Sequence, residues 1–336
     1  MTLNPLESGR YIASASSHVH IAADAVKNVA EMIADSFSKK ESNVANWKEH
    51  KLHPQEMTDE TADWIFVIDL LNFSFWSDDP DQDFTIEYGG SLHVDYWALC
   101  AVIRRAIEED IQMASPAFYK DISMDKMKHV FRSSNSVDIP LLEVRHMLLN
   151  EAGQTLVDKF GGSFANCIRL CNESAQTLIK MIVSNFASFQ DTAVYKGKTV
   201  SFYKRAQILV ADIWACFEGN GLGRFEDISS LTMFADYRVP QMLRYLGVFE
   251  YSEELLECLQ QGIVLSSGDE KEVEIRGCSI WAVEMIRQIV EDKQSSKINI
   301  NSLLIDYYLW DSATATSKLT DKSLDYPIHR TRSVYY

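Results

Sequence analysis

The sequence predicts a mainly α-helical fold with small β-hairpins. Apolar residues recur every three to four positions through most of the 336-residue chain, which is the period of helices with one buried side. Alternation of apolar and polar residues, which is typical of half-buried strands, is confined to two short segments that turn at glycines. Hydrophobic residues make up 46% of the chain, enough for a large core without metal or disulfide crosslinks.

Helical periodicity first occurs between Val19 and Phe37, where the apolar residues form a one-sided stripe. The run from Trp64 to Phe75 is apolar on every side, so periodicity leaves it open as a buried strand or a buried helix. The same helical period predicts eight further helices: Tyr96–Ile107, Leu141–Phe160, Ser163–Phe186, Ser201–Phe217, Val239–Leu246, Ser252–Leu259, Ile280–Val290 and Ile300–Trp310.

Two hairpins are expected. Residues 84–96 alternate around Gly89-Gly90, a dipeptide that suits a tight turn, and residues 193–203 are expected to turn at Gly197. No long linker rich in proline or serine divides the chain. We therefore expect a single domain, 1–336, with two packed helical lobes, 1–160 and 161–336, as the alternative.

The chain is acidic, with a formal net charge of −16 and a sequence pI near 4.9. Nucleic acids are bound largely by Lys and Arg on their phosphates, so DNA and intact transfer RNA are disfavoured as partners. A small substrate with one phosphate needs only a local basic group. A cationic group on that substrate would suit an acidic pocket.

The cysteines, histidines and apolar segments indicate an intracellular protein without a metal site. The six cysteines include no CxxC pair, and His18 and His20 have no obvious third ligand, so metal binding is not predicted. No apolar segment is long enough to span a bilayer, and the first residues do not resemble a secretory signal. We expect a cytoplasmic protein, with the nucleus as an additional location.

The segment from Met233 to Gln241, MFADYRVPQ, places Asp236, Tyr237 and Arg238 just before Pro240. Proline suits the first turn of a helix, so the three polar residues are expected at a helix N-terminus, where free N–H groups can bind anions. The alternative is structural: Asp236 caps the helix and pairs with an arginine.

Asp306 lies in the apolar and aromatic segment LLIDYYLWD, with Asp311 about five positions later. An ionised carboxylate is costly in such surroundings unless it is paired or hydrogen-bonded. Its partner is either an Arg or Tyr of the protein or a cationic ligand, and the sequence leaves both open.

Two further segments are candidates for phosphate binding. Lys204 and Arg205 precede an apolar helix and form either a solvated basic pair or a phosphate clamp. Ser163 follows two glycines and opens a helix, where it is either an N-cap or part of a phosphate-binding turn.

These segments together resemble the queuosine salvage family of queuosine 5'-phosphate N-glycohydrolases. The matching segments occur in family order from Leu3 to Asp311, so the resemblance covers nearly the whole chain. They are LNPLESGRYIA, IDLLNFSFWSD, DYWALCAVIRRAIEE, PLLEVRHMLLNEAG, KFGGSFANCI, VSFYKRAQILVADIW, ISSLTMFADYRVPQML, DEKEVEIRGCSIWAVE and LLIDYYLWD.

The resemblance implies a hydrolase without metal or cofactor, with a mostly helical fold similar to helix-hairpin-helix DNA glycosylases. Its substrate would be queuosine 5'-monophosphate, and its product queuine would return to transfer RNA through a separate transglycosylase. Queuine is a 7-deazaguanine with a cyclopentenediol on a secondary amine, which is positively charged at neutral pH.

The resemblance also implies roles for individual residues. Asp236 would act on the oxocarbenium-like ribose, and Asp306 or Asp311 would bind the amine. Phe234, Tyr237 or Trp310 would stack on the base, while Lys204 and Arg238 are candidates for the phosphate. His50 matches a family histidine near the ligand, although His53 competes for this assignment.

Three other functions remain as alternatives. The chain could be an N-glycosidase for another modified nucleotide, or a non-catalytic helical module that binds a nucleotide or a partner protein. A DNA glycosylase is the third, and the acidic net charge argues against it.

Overall fold

Helices make up most of the described chain. The computed structural model describes residues 2–38, 46–79, 82–293, 300–319 and 327–336, and the mainly α class with small strand pairs is confirmed. The helices in these ranges are α1 (Pro5–Ala15), α2 (Ala23–Ser38), α3 (Asn46–Glu49), α4 (Asp59–Leu71), α5 (Asp95–Glu108), α6 (Pro116–Tyr119), α7 (Met124–Val130), α8 (Leu142–Phe160), α9 (Phe164–Arg169), α10 (Ala175–Asn185), α11 (Lys204–Cys216), α12 (Arg238–Tyr245), α13 (Glu253–Gln260), α14 (Glu270–Lys293) and α15 (Ser302–Leu319).

Both predicted hairpins are confirmed. Strands β2 (Ile86–Tyr88) and β3 (Ser91–His93) pair antiparallel across Gly89-Gly90, whose φ angles of 59° and 74° favour glycine. Strands β4 (Thr192–Tyr195) and β5 (Lys198–Ser201) pair across Lys196-Gly197. Because Ser201 ends a strand, the predicted helix start at this residue is wrong, and α11 begins at Lys204.

A third strand pair corrects the first predicted helix. Strand β1 (Val19–Ile21) pairs antiparallel with β6 (Phe249–Tyr251), and α2 begins only at Ala23. The start at Val19 was wrong because the pairing partner lies far along the chain, where a local periodicity cannot detect it.

Burial and local backbone geometry explain other differences from the predicted elements. The first part of the run from Trp64 to Phe75, which periodicity leaves open as strand or helix, belongs to helix α4, whereas residues 72–75 follow the helix. Every residue from Trp64 to Leu71 is buried, which removes the one-sided pattern. The single helix predicted from Ser163 to Phe186 is two helices, α9 and α10, because Asn172 and Glu173 between them adopt positive φ angles of 52° and 59°.

Helices α1 and α14 pack closely because each has a glycine where the other helix approaches. A Cβ atom added at Gly9 would lie 2.7 Å from Cγ2 of Ile280, and one added at Gly277 would overlap the side chain of Ile12. These glycines allow the two helix backbones to approach. Helix α1 is further fixed at its start by Asn4 and Glu7, which form a reciprocal capping box.

The described core contains two hydrophobic clusters that meet near residue 234. Phe234 packs in a cluster built mainly from α4, α5 and α8–α11, whereas Met233 and Ala235 pack in one built mainly from α1, α2 and α12–α15. The loop that precedes α12 therefore lies at the junction of the two clusters. The assignment of one domain or of lobes 1–160 and 161–336 stays a prediction.

Among the described residues, none of the helices is both long enough and apolar enough to cross a membrane.

Candidate active site

A cavity of about 460 Å³ lies at this junction, within the size range of small-molecule sites. Its wall is formed by the loop before α12, the first turn of α11, helix α15 and the segments around residues 47–53, 72–75 and 95–97. The structure brings nine of the sequence-predicted site residues together on this wall: His50, Lys204, Phe234, Asp236, Tyr237, Arg238, Asp306, Trp310 and Asp311. Ser163 and Arg205 are not part of it.

Asp236 lines the cavity and also caps helix α12. Its Oδ1 accepts hydrogen bonds from the backbone N–H groups of Arg238 at 2.9 Å and Val239 at 3.0 Å. Burial raises the pKa of this carboxyl, while the charge of Lys204 and the two N–H groups oppose the rise. The capping geometry that the sequence offered as an alternative is thus present, and it holds the carboxylate in the cavity wall.

Arg238 does not pair with Asp236. Its Nη2 lies 3.5 Å from Oδ2 of Asp95, and both side chains are about one-third exposed, at 34% and 37%. The guanidinium also lies near the ring of Tyr237, with its carbon 5.7 Å from the ring centroid. A weak, partly exposed ion pair leaves the guanidinium accessible to a ligand anion.

Asp306 connects α15 to the loop that carries Asp236. Its side chain is 4% exposed, and Oδ1 accepts the backbone N–H of Phe234 at 2.9 Å. Burial raises the pKa of Asp306 well above its usual range, and the negative charge of Asp236 adds to this effect. The N–H of Phe234 and the charge of Lys204 offset only part of the burial cost, which leaves this acid suited to a cation.

Asp311 lies farther along α15 and is exposed, although it lines the same cavity. Although the residue as a whole is exposed, partial desolvation of its carboxyl group raises its pKa. Asp306 is therefore buried in the cavity wall, whereas Asp311 lies closer to solvent.

Lys204 and Arg205 are buried, so the solvated basic pair considered from the sequence is wrong. Helix α11 is surrounded by protein at its first turn, and the two side chains are 6% and 1% exposed. The Arg205 guanidinium donates to the carbonyl oxygens of Asp69, Leu70 and Ser188. Lys204 faces the cavity, and burial lowers its pKa while the charges of Asp236 and Asp69 oppose this.

A buried ion pair holds the first turn of α11 beside the loop before α12. The guanidinium of Arg276 donates to both carboxylate oxygens of Asp191 at 2.9 Å and 2.6 Å, and its Nε donates to the carbonyl of Ala235 at 2.9 Å. Oδ2 of Asp191 in turn accepts the backbone N–H of Lys204 at 3.1 Å. Arg276 and Asp191 thus link the backbones next to Asp236 and at Lys204.

Flat side chains cover much of the cavity wall. His50 stacks on Trp97 with ring centroids 3.4 Å apart, and Phe234 meets Tyr307 edge to face at 6.2 Å. Tyr237 and Trp310 also line the cavity. Such rings suit a planar base.

His50 and His53 both reach this wall, and their contacts distinguish them. His53 is buried, its Nε2 lies 2.9 Å from the hydroxyl of Tyr96, and its Nδ1 lies 2.7 Å from the carbonyl of Trp47. Burial lowers the pKa of His53 to about 4, so the ring is neutral at pH 7. Nε2 of His50 has no such contact among the described residues, which favours His50 as the ligand-facing histidine.

Ser163 lies outside this cavity wall. Its Oγ accepts the backbone N–H of Ala165 at 3.1 Å, so the expected N-cap is confirmed. Its own hydroxyl donates to Asp63 on α4.

The sequence reasoning did not single out several residues of the wall, including Trp47, Asp95, Trp97, Asp212 and Tyr307. Asp212 lies in the apolar segment LVADIW, and Asp69 lies behind it in WIFVIDLL. Both show the signal that identified Asp306, an acid in an apolar run, and this signal could have found them.

Carboxylates outnumber cations on the described part of the wall. Its Lys and Arg side chains are Lys204 and Arg238. Opposite them lie the six acids Glu49, Asp95, Asp212, Asp236, Asp306 and Asp311. The cavity therefore favours a ligand that carries a positive group.

Comparison with known proteins identifies the family. A family model described as queuosine salvage protein matches residues 52–336. The chain belongs to the queuosine salvage protein family. The family match includes every predicted site residue except His50.

Relatives of the queuosine salvage family match this chain from end to end. A mouse protein is 46% identical over 99% of both chains, and a Schizosaccharomyces pombe protein is 40% identical over 98% of this chain and 99% of its own. A protein of the bacterium Sphaerobacter thermophilus is 34% identical over 99% of this chain and 98% of its own. Each carries the name queuosine 5'-phosphate N-glycosylase/hydrolase.

Proposed function

We propose that this protein hydrolyses the N-glycosidic bond of queuosine 5'-monophosphate and releases queuine for salvage into transfer RNA. Near full-length similarity to proteins named for this activity supports the proposal. The observation that carries it is the carboxylate of Asp236, held by two backbone N–H groups in the wall of an acidic, aromatic cavity.

Asp236 is the proposed catalytic residue. Cleavage of an N-glycosidic bond builds positive charge on C1' and the ring oxygen of the ribose. A carboxylate beneath C1' stabilises this cation or attacks it, as in glycosidases. The N–H groups of Arg238 and Val239 fix the carboxylate before substrate arrives, so little reorganisation is needed during the reaction.

Asp306 and Asp311 are proposed to bind the cationic amine of queuine. Burying a carboxylate without a counter-charge is costly, and a bound amine would supply that charge to Asp306. The exposed position of Asp311 places its carboxylate nearer to solvent on the same helix. Phe234, Tyr237 or Trp310 is proposed to stack against the base, and His50 is proposed to lie near the ligand.

Arg238 and Lys204 are the proposed phosphate ligands. Arg238 is partly exposed and only weakly paired with Asp95, which suits a group on the 5' side of the ribose. Lys204 is buried and lies near several acids, so its charge also favours the ionised form of Asp236.

The proposal extends to fold relationship, partners and location. We propose a fold similar to helix-hairpin-helix DNA glycosylases within one hydrolase domain. We also propose a cytoplasmic enzyme, present in the nucleus as well, that acts without metal or cofactor on a small molecule. The net charge of −16 disfavours DNA and intact transfer RNA as substrates.

Incubation of the purified protein with queuosine 5'-monophosphate tests the proposed reaction. Mass spectrometry should detect free queuine and ribose 5-phosphate in equal amounts. Intact substrate that stays bound would instead show a binding module. A panel of other nucleoside monophosphates, compared by kcat/KM, should give the highest value for queuosine 5'-monophosphate. A higher kcat/KM for a nucleotide with another base would assign that nucleotide as the substrate.

A further inference from the structure

Two buried acids on neighbouring helices lie beside the cavity. Asp212 on α11 is 6% exposed and lines the cavity, whereas Asp69 on α4 is fully buried at 0% and lies outside the lining. Helices α4 and α11 pack against each other, and the charge of Asp212 acts directly on Asp69.

The hydrogen bonds of these acids leave one oxygen without a partner. Asn72 donates to Oδ1 of Asp69 at 3.3 Å, but Oδ2 of Asp69 is buried without any hydrogen bond in the described part of the chain. The hydroxyl of Tyr307 donates to Oδ1 of Asp212 at 3.5 Å. The charges of Lys204 and Arg205 lower the pKa of Asp69, and that of Lys204 lowers the pKa of Asp212, but they offset the burial only in part. The guanidinium of Arg205 donates to backbone carbonyl groups instead.

Two desolvated carboxylates whose charges interact cannot both ionise without a large cost. Burial raises the pKa of Asp212 to about 7, and burial together with the charge of Asp212 raises that of Asp69 well above its usual range. Desolvation and the charge interaction therefore both favour a pair that holds a proton. Asp212 is the member of the pair whose carboxyl group lines the cavity.

The proposed reaction requires a proton donor that is separate from Asp236. A 7-deazaguanine base lacks N7, the usual protonation site when a purine leaves. The departing base must take up its proton at another edge. Asp236 is assigned to the ribose, and the two N–H groups that bind its Oδ1 oppose the rise in its pKa that burial causes.

We propose that Asp212 donates the proton that the departing base takes up, and that Asp69 is a positioning residue that keeps this proton on the pair. The inference rests on the proposed hydrolysis of queuosine 5'-monophosphate. The bond from C1' to the base nitrogen breaks, and its electron pair leaves with the base. The proton of Asp212 passes to the base, and water supplies the oxygen at C1'. The proton displaced from water goes to Asp236 or to solvent. Solvent then reprotonates the pair of Asp69 and Asp212.

Two substrates separate proton donation from other roles of Asp212. Asp212→Asn should lower kcat for queuosine 5'-monophosphate by about 10²- to 10⁴-fold, the usual contribution of a general acid. The same variant should keep kcat for 4-nitrophenyl β-ribofuranoside 5'-phosphate within about tenfold of wild type, because nitrophenolate leaves without a proton. Equal losses for both substrates would overturn the assignment.

The pH profile tests Asp69. The alkaline limb of wild-type kcat should lie near or above pH 7, because burial raises the pKa of Asp212 to about 7 and Asp69 helps to retain the proton. In Asp69→Asn the second acid is lost, so the alkaline limb should move to lower pH. An equal loss of kcat at every pH in Asp69→Asn would show a merely structural role and overturn the assignment of Asp69.

Asp63→Asn is the matched control. Asp63 lies on the same helix as Asp69, is partly buried and is absent from the cavity lining, so its pH profile should equal that of wild type. If wild-type protein releases no queuine, the proposed function fails and the inference falls with it. If wild type is active and Asp212→Asn equals it, only the inference fails.

Discussion

Replacing Asp306 with asparagine should weaken the binding of queuine far more than that of 7-deazaguanine, which lacks the amine arm. Asp306 is 4% exposed, and its Oδ1 accepts the N–H of Phe234 at 2.9 Å, a bond that an asparagine oxygen can retain. The substitution therefore removes mainly the negative charge. A hydrogen bond to a charged group contributes about 1.5–3 kcal/mol, so queuine should bind roughly 10- to 150-fold more weakly.

Isothermal titration of both bases against wild type and Asp306→Asn measures this difference. Asp311→Asn, titrated in parallel, shows how the two acids of α15 share the amine. Asp227→Asn is the matched control, because this acid lies outside the cavity lining and accepts the N–H of Gln176 at 3.2 Å, so both affinities should be unchanged. Equal losses for queuine and 7-deazaguanine in Asp306→Asn would refute amine recognition by this residue.

Three further substitutions test the surroundings of the site. Arg276→Met leaves Asp191 buried without its cation and should lower the free energy of unfolding in urea by about 3–5 kcal/mol; a loss below about 1 kcal/mol would contradict this. Burial raises the pKa of Asp63 from 3.8 to about 6, so wild type should lose stability relative to Asp63→Asn as pH rises from 4 to 6. This loss should reach about 2 kcal/mol, and a stability difference independent of pH would be inconsistent with it. Arg238→Ala should weaken binding of queuosine 5'-monophosphate by roughly tenfold while sparing queuosine, since only the nucleotide has the phosphate; equal weakening would remove Arg238 from the phosphate site.

The helices were predictable where one face is buried and the other is solvated. Periodicity located α8 (Leu142–Phe160) nearly to the residue, and the glycine turns located both hairpins. Periodicity assigned Val19–Ile21 to a helix, which is wrong, because strand β6, which pairs with these residues, is distant in the sequence. Periodicity also gave no assignment for α4, because a helix buried on all sides has no polar face.

Acids in apolar surroundings were the most useful signal for the site. Asp306 is identified this way, whereas Asp236 is identified from its position before Pro240 at a helix start, and the structure places both on one cavity wall. Asp69 and Asp212 carry the same signal, but spacing does not reveal that α4 and α11 bring them together. The burial of Lys204 was harder to predict. Two adjacent basic residues are typical of a solvated surface, whereas tertiary packing buries both Lys204 and Arg205.

Release of queuine by Asp236→Asn tests the central claim most directly. The asparagine oxygen can still accept the N–H groups of Arg238 and Val239, so the variant should fold and bind queuosine 5'-monophosphate. Without the carboxylate, single-turnover base release followed by mass spectrometry should slow by about 10²- to 10³-fold or more relative to wild type. Release at the wild-type rate by the folded variant would contradict the role of Asp236 beneath the ribose.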